Sequence, residues 1–135
     1  MKVVVIIPAF NEEKSIGLVL DDIPRNLVSE VLVVDNNSSD QTARVAERHG
    51  ATVLTETELG YGSACLAGIF HAQEYRPDVI VFLDGDYSDH PKEMSMLLDK
   101  ISDGFDLVIG SRVLGKCDRE RCCRKPVAAT GSPCV

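Results

Sequence analysis

Residues 79–91 read VIVFLDGDYSDHP, and this stretch runs a buried strand directly into a cluster of acids. Five apolar residues, 79–83, are followed at once by Asp84, Gly85 and Asp86, and Asp89 comes three residues later. Carboxylates at the end of a buried strand repel one another and lose hydration, which destabilises a fold unless something compensates them. We therefore expect this strand to end at an edge where a ligand binds.

Apolar runs like residues 79–83 alternate with amphipathic segments over most of the chain. Near-continuous apolar strands separated by helical patterns are typical of a parallel sheet covered by helices. The sequence thus predicts an α/β fold, a mostly parallel Rossmann-like sheet with helices on both faces. The predicted strands are 2–7, 30–34, 51–55, 78–83 and 105–110, and the predicted helices are 12–23, 40–50, 60–75 and 91–101.

Length and charge narrow the class of function. The chain has 135 residues, with 14 Lys and Arg against 21 Asp and Glu. A phosphate backbone is bound by clustered basic residues, so this balance argues against a nucleic-acid partner and suits a site that holds a cation. Because no apolar run approaches the ~20 residues of a spanning helix, we expect a cytoplasmic protein.

The last 20 residues differ from the rest. Residues 1–115 form the predicted domain, whereas 116–135 lack apolar periodicity and are expected to be a basic, poorly ordered tail. The tail holds Cys117, Cys122, Cys123 and Cys134, four of the five cysteines. Adjacent cysteines fit zinc-ligand spacing poorly, which favours incidental thiols over a metal site.

Polar residues follow four of the predicted strands, at 8–12, 35–40, 84–86 and 110–112. In a parallel sheet the ligand lies outside the carboxyl ends of the strands, where the strand order reverses. These four segments are therefore expected to meet at one edge of the sheet.

Some of these residues also have purely structural explanations. Asn11 is equally suited to cap a helix beginning at residue 12, and residues 36–40 are good turn and N-cap residues. Gly60 and Gly62 form either an ordinary loop or a backbone approach to phosphate, and Asp89 is either a capping or a site residue.

The pair Asp84 and Asp86 is harder to explain by structure alone. Mg²⁺ or Mn²⁺ prefers oxygen ligands, retains some waters and bridges carboxylates to substrate phosphates. Gly85 allows close approach of the backbone to a ligand. The pattern predicts a divalent cation held by the two aspartates.

Five segments together resemble a known family. VVIIPAFNEEKSIGLVL, EVLVVDNNSSDQTARVA, GYGSACLAG, VFLDGDYSDHP and VIGSRVLG are similar, in order and spacing, to the N-terminal nucleotide-sugar-binding half of family 2 glycosyltransferases with the GT-A fold. The resemblance is to the branch of dolichyl-phosphate mannosyltransferase and the bacterial polyprenyl-phosphate glycosyltransferases.

This resemblance implies roles for individual residues. Asp84 and Asp86 would hold the metal, with Asp86 the direct ligand, and Asp86 and Arg112 would act in catalysis. Phe10 replaces the usual Tyr, and Asn36 and Asn37 replace an acid and a glycine of the common Asp-Asp-Gly-Ser. The residues expected to bind the nucleotide sugar are Pro8, Phe10, Glu12, Val33, Asp35, Asp84, Gly85 and Arg112.

The implied reaction is a metal-dependent, inverting transfer from a UDP- or GDP-linked sugar to a polyprenyl phosphate or another acceptor. Family members continue beyond the motif at 110–112 into an acceptor half, so donor binding is expected to survive better than transfer. The alternative is a catalytically incomplete fragment, or a nucleotide- and metal-binding module without turnover. An open sheet edge would favour a homodimer, and a lipid acceptor would place the protein at the membrane periphery.

Overall fold

The computed structural model describes residues 1–111 and the backbone of residues 125–129. The chain divides into two compact units, Met1–Tyr87 and the part from Ser88 onward. The strands are β1 (Val3–Ala9), β2 (Glu30–Asp35), β3 (Thr52–Thr55), β4 (Val79–Phe82), β5 (Leu107–Ser111) and β6 (Lys125–Ala129). The α-helices are α1 (Ile16–Asp22), α2 (Thr42–Arg48), α3 (Tyr61–Ala72) and α4 (Met94–Ser102), with short 3₁₀ turns at Arg25–Leu27, Gln73–Tyr75 and Pro91–Glu93.

The first unit is built on a four-stranded parallel sheet in the order β3-β2-β1-β4. All seven residues of β1 are buried, as are five of the six in β2. Strands enclosed on both faces need the near-continuous apolar sequence seen here. This confirms the α/β fold class and the parallel sheet expected from the sequence.

The two faces of the sheet are covered by different helices. Val4, Ile6, Leu32 and Val34 form one core cluster with α3. Alternate residues of β1 and β2 point to the opposite face, where they too are buried. From β1 the chain adds β2 and β3 on one side, and it then returns past β1 to form β4 on the other side. Because parallel crossovers are right-handed, the two crossovers in the first direction place α1 and α2 on that opposite face, away from α3.

This reversal lies between β1 and β4. The two strands pair in parallel with Ile6 opposite Phe82, so their carboxyl ends lie side by side. β1 also pairs with β2 on its other side, and the crevice of an open α/β sheet opens where strand order reverses. The acids after β4 therefore reach the same crevice as the loop after β1.

The second unit corrects one expectation. The fifth predicted strand forms as β5, but among the described residues it pairs antiparallel with β6 in a separate two-stranded sheet. Leu107 and Ile109 are each 55% exposed, so this strand is not enclosed on both faces as a central parallel strand would be. β6 lies within the segment expected to be a tail, whose other residues fall outside the described ranges.

Within the described ranges, α3 is the longest helix at 12 residues, and no helix there is long and apolar enough to cross a membrane.

Candidate functional site

A pocket of about 430 Å³ lies in the first unit at the carboxyl ends of β1 and β4. Four segments form its walls: the end of β1 with the following loop, the residue after β2, the start of α3 with the residue before its N-cap, and the loop after β4. Its lining residues are Pro8, Ala9, Phe10, Glu12, Asn36, Leu59, Gly60, Tyr61, Ala64, Asp84, Gly85 and Asp86. The pocket thus combines exposed aromatic rings with three carboxylates.

The loop after β4 packs closely on the end of β1. A Cβ added at Gly85 would lie 3.5 Å from the Cβ of Ala9, the Cγ of Glu12 and the carbonyl oxygen of Pro8. These are ordinary van der Waals distances, so there is room for a methyl group but for little more. The loop therefore lies close against β1, with Asp84 and Asp86 lining the pocket on either side of Gly85 in sequence.

Asp84 is hydrogen-bonded across the pocket to the first turn of α3. The Tyr61 hydroxyl donates to Oδ1 of Asp84 over 3.3 Å. Burial of the hydroxyl, followed by the Asp84 charge and the neighbouring Cys65, raises the pKa of Tyr61 to about 12. Burial and the Asp84 charge also raise the pKa of the half-buried Cys65 thiol, against a lowering by its hydrogen bond with Tyr61. Tyr61 therefore remains a neutral donor to Asp84 at physiological pH.

The carboxylates of the pocket suit a cation that is also bound by phosphate oxygens or waters. In the part of the chain that the structure describes, no group of three or more His, Cys, Asp or Glu side chains could hold a metal by itself. Asp84, Asp86 and Glu12 nevertheless line one pocket. Mg²⁺ is commonly held by one or two carboxylates together with substrate phosphates and waters, and this donor set fits that arrangement.

Phe10 supplies an apolar surface to the pocket. Its side chain is 54% exposed although it follows a fully buried strand. The next residue, Asn11, has φ 54°, a left-handed conformation that Asn tolerates better than most residues. The turn at Asn11 therefore ends β1 and leaves an aromatic face available for stacking.

Asn11 has a role different from the helix cap considered for it. α1 begins at Ile16 with Ser15 at the N-cap position, so Asn11 lies too early to cap it. Instead, Oδ1 of Asn11 accepts a hydrogen bond from the backbone N–H of Ser39 over 2.9 Å, and the Asn11 N–H donates to Ser38 Oγ over 2.9 Å. The loops after β1 and β2 are thereby joined to each other.

Asp40 extends this connection between the loops. Its Oδ1 accepts from the backbone N–H of Thr42 over 2.9 Å and from the Thr42 hydroxyl, while Oδ2 accepts from the backbone N–H of Glu13 over 3.2 Å. The Thr42 hydroxyl oxygen accepts in turn from the Glu12 N–H over 2.8 Å. Burial acts to raise the pKa of Asp40, but these hydrogen bonds outweigh it and lower the pKa below its ordinary value.

Asp40→Ala is expected to lower the free energy of unfolding at neutral pH by about 1–2 kcal/mol, the scale of losing backbone hydrogen bonds to a carboxylate. Because the folded protein lowers the pKa of Asp40, the ionised carboxylate stabilises it above the ordinary pKa near 4, and this contribution is lost as the pH falls. Urea unfolding at pH 7 and at pH 3 measures both effects. The matched variant Asp103→Ala, which removes an exposed ion pair with Lys100 at 2.8 Å, should lower stability much less than Asp40→Ala does. An Asp40→Ala effect equal at both pH values would contradict this assignment.

Asn36 is a pocket residue that the sequence alone assigned to a turn. Only 6% of its surface is exposed. Its Nδ2 donates to the carbonyl oxygens of Glu56 and Glu58 over 3.0 and 2.8 Å, and its Oδ1 accepts from the Gly60 N–H over 2.8 Å. Asn36 thus holds the loop that leads into α3 against the end of β2.

Comparison with known proteins identifies the family. The model of glycosyl transferase family 2 matches residues 4–126. The chain belongs to this family. Among curated relatives it is 38% identical over 144 aligned positions to an undecaprenyl-phosphate mannosyltransferase of Micrococcus luteus, covering 98% of this chain and 58% of that protein. It is also 38% identical over 111 residues to a dolichyl-phosphate hexose transferase of Haloferax volcanii, covering 81% of this chain and 47% of that protein.

A solved structure agrees with these sequence matches. Glucosyl-3-phosphoglycerate synthase of Mycobacterium tuberculosis, crystallised with Mn²⁺, UDP and glucosyl-3-phosphoglycerate, has a TM-score of 0.64 and 29% identity, covering 74% of this chain and 39% of that chain. This glycosyl transferase family 2 chain spans about half the length of the curated relatives it matches, for example 48% of an uncharacterized protein of Methanocaldococcus jannaschii.

The pocket brings together most, but not all, of the site residues expected from the sequence of this family 2 chain. Pro8, Phe10, Glu12, Asp84, Gly85 and Asp86 all line it.

Two of the remaining expected residues lie at β2. Val33 is fully buried and does not line the pocket. Asp35, 7% exposed, is also outside the lining, and its Oδ1 accepts a hydrogen bond from the Ser38 N–H over 3.4 Å. Arg112 lies outside the described residues. Sequence reasoning missed Leu59, Tyr61 and Ala64 as lining residues, although GYGSA was recognised as a possible approach to phosphate.

Proposed function

We propose that the pocket binds the nucleoside diphosphate part of a nucleotide sugar together with a divalent cation, and that the protein transfers the sugar with inversion. The observation that carries this proposal is the shared pocket of Phe10, Asp84 and Asp86 at the β1–β4 reversal. An aromatic face suits a nucleobase, and paired carboxylates suit a cation bridged to a diphosphate. Relatives named as polyprenyl-phosphate sugar transferases support the same reading.

Each group has a distinct role in the proposed site. Phe10 stacks on the base, while Asp84 and Asp86, with Asp86 the direct ligand, hold the cation. A bound Mg²⁺ or Mn²⁺ neutralises charge on the departing nucleoside diphosphate. Gly60, Tyr61 and Ala64 line the pocket at the start of α3, and the Tyr61 hydroxyl holds Asp84 by a hydrogen bond. Asp35 and Arg112 remain proposed donor contacts.

The proposed reaction forms a bond from an acceptor oxygen to the anomeric carbon as the bond from that carbon to the diphosphate oxygen breaks. Attack from the opposite face inverts the configuration, and the nucleoside diphosphate leaves. A polyprenyl phosphate is already an anionic nucleophile, so this acceptor would need little help from a general base. Such an acceptor would also place the reaction at a membrane surface.

Asp86→Asn is expected to weaken nucleotide binding about 100-fold in the presence of Mn²⁺, because a carboxylate ligand is lost without a change of shape. Calorimetric titration with UDP and with GDP, each in Mn²⁺ and in EDTA, measures this effect. Affinity in EDTA should be the same for the variant and the wild type. The control Asp99→Asn changes an exposed aspartate in α4 and should leave affinity unaltered.

Two results would contradict the proposed site. The first is a folded wild-type chain that binds neither UDP nor GDP, and the second is equal loss in Mn²⁺ and EDTA for Asp86→Asn. A second candidate function is nucleotide and metal binding without turnover. It is favoured because the groups in the described pocket, such as Phe10, Asp84 and Asp86, are those proposed to bind the nucleotide and the cation. Release of free sugar or glycolipid from a radiolabelled UDP- or GDP-sugar, with polyprenyl phosphate present, separates transfer from binding alone.

A further inference from the structure

Tyr87 has an unusual backbone conformation immediately after the acids. Its φ is 62°, in the left-handed region. A bulky side chain seldom adopts this conformation, and where it does the surroundings hold it there, often beside a functional site. The residue that bears this conformation directly follows Asp86, so the turn at Tyr87 sets the direction in which the chain leaves the pocket.

A hydrogen bond ties this turn to the opposite layer of the unit. The Tyr87 hydroxyl donates to Oδ2 of Asp22 over 2.7 Å, across 65 residues of sequence. Both side chains are half-buried. The contact links the loop after β4 to the last residue of α1, which is a fixed element of the core.

Asp22 occupies a position that a helix alone does not favour. α1 ends on Asp21 and Asp22 with no basic residue in its last turn, whereas the helix dipole favours cations there. Asp21 has a partner, because its Oδ1 lies 2.7 Å from Nδ1 of His49. The hydrogen bond from the Tyr87 hydroxyl likewise accounts for an acid at Asp22.

We propose that Tyr87, held by Asp22, is a positioning residue that fixes the turn after Asp86 and so aims the Asp86 carboxylate at the cation. Tyr87 does not line the pocket and therefore acts through Asp86 rather than on the ligand. The inference rests on the proposed function, since it assigns Tyr87 a role in the same metal-dependent nucleotide binding.

The test compares wild type, Tyr87→Phe, Asp22→Ala, the double variant and Tyr87→Gly. The matched control is Tyr75→Phe, which removes a phenol hydroxyl from the 3₁₀ turn after α3. Affinity for UDP and GDP is measured in Mn²⁺ and in EDTA, and Mn²⁺ binding without nucleotide is followed by electron paramagnetic resonance. Circular dichroism of each variant confirms folding.

Tyr87→Phe and Asp22→Ala are each expected to weaken binding in Mn²⁺ by about threefold to tenfold, the scale of a lost hydrogen bond to a carboxylate at a partly exposed site. The double variant should lose no more than either single one, because both remove the same bond. Binding in EDTA should be unchanged, whereas a merely structural role would lower both. Tyr87→Gly takes the left-handed turn without strain but lacks the hydroxyl, so it should bind as weakly as Tyr87→Phe.

The inference is overturned if Tyr87→Phe binds like Tyr75→Phe, if losses are equal in Mn²⁺ and EDTA, or if Tyr87→Gly matches the wild type. In each of these cases a wild type that binds nucleotide more tightly in Mn²⁺ than in EDTA leaves the proposed function standing. A folded wild type that binds neither nucleotide overturns both.

Discussion

Asn36→Asp should lower the free energy of unfolding at neutral pH by about 3 kcal/mol, the combined cost of two broken hydrogen bonds and a buried charge. The Asn36 amide donates to the carbonyl oxygens of Glu56 and Glu58, and a carboxylate cannot donate to them. The variant keeps only one of the three hydrogen bonds, because a carboxylate oxygen can still accept from the Gly60 N–H. The substitution therefore places a negative oxygen against two carbonyl oxygens at a site that is 6% exposed.

The pH dependence of this variant follows from the same contacts. Burial and the two carbonyl oxygens raise the pKa of the new carboxyl group in the folded state, because its protonated form can donate again. A raised pKa favours the folded state below the ordinary pKa near 4 and disfavours it as the pH rises. The destabilisation of Asn36→Asp relative to wild type should therefore be smaller at pH 4 than at pH 7.

Chemical denaturation of Asn36→Asp at the two pH values tests this explanation, with Asn37→Asp as the matched control. Asn37 is the next residue, is exposed and has φ 64°, a conformation that Asp tolerates nearly as well as Asn. The control should therefore change stability by under about 0.5 kcal/mol. Equal effects at positions 36 and 37, or an Asn36→Asp penalty that grows on acidification, would refute the role assigned to the amide.

The loop held by Asn36 also connects this prediction to ligand binding. Leu59, Gly60 and Tyr61 follow the two carbonyls that the amide holds, and all three line the pocket. Release of that loop should weaken nucleotide binding as well as folding. An Asn at this position, where the family pattern has an acid, is thus explained by the contacts that it makes in this chain.

The parallel sheet could be predicted because its strands carry their own signal. β1 and β2 are enclosed on both faces, and burial on both faces requires an unbroken apolar sequence. Asp84 and Asp86 were predictable for the opposite reason, since they interrupt such a run where the strand ends. The shared pocket then follows from the rule that ligands bind at the carboxyl ends of parallel strands.

Other features depend on contacts between distant residues and leave no local signal. β5 has the composition of a parallel strand, and only its antiparallel pairing with β6 distinguishes it. The sequence predicts Asn36 only as a turn residue, because the carbonyl groups that its side chain binds lie 20 and 22 residues away and leave no local pattern. Val33 was expected at the nucleotide, but alternation along β2 directs its side chain into the core, where it is fully buried.

Gly68→Ala should lower the free energy of unfolding by about 1–3 kcal/mol, the usual cost of overpacking a core. Helix propensity alone predicts the reverse, since Ala is favoured over Gly within a helix by about 1 kcal/mol. A Cβ at Gly68 would, however, lie 2.5 Å from Cγ2 of Ile6 and 3.2 Å from Cγ2 of Val34. Ile6 and Val34 are both branched and fully buried, so neither methyl can move aside without displacing its neighbours.

Gly62→Ala provides the matched control, because it makes the same change in the same helix. Gly62 is exposed, and a Cβ there would meet no atom within 4 Å. This variant should be more stable than wild type by about 0.5–1 kcal/mol, since alanine restricts the unfolded chain more than glycine does. Urea denaturation midpoints of the two variants should therefore shift in opposite directions at an unchanged slope. A Gly68→Ala variant more stable than wild type would show that α3 does not depend on glycine for its close approach to the sheet, and that backbone propensity rather than contact with Ile6 governs this position.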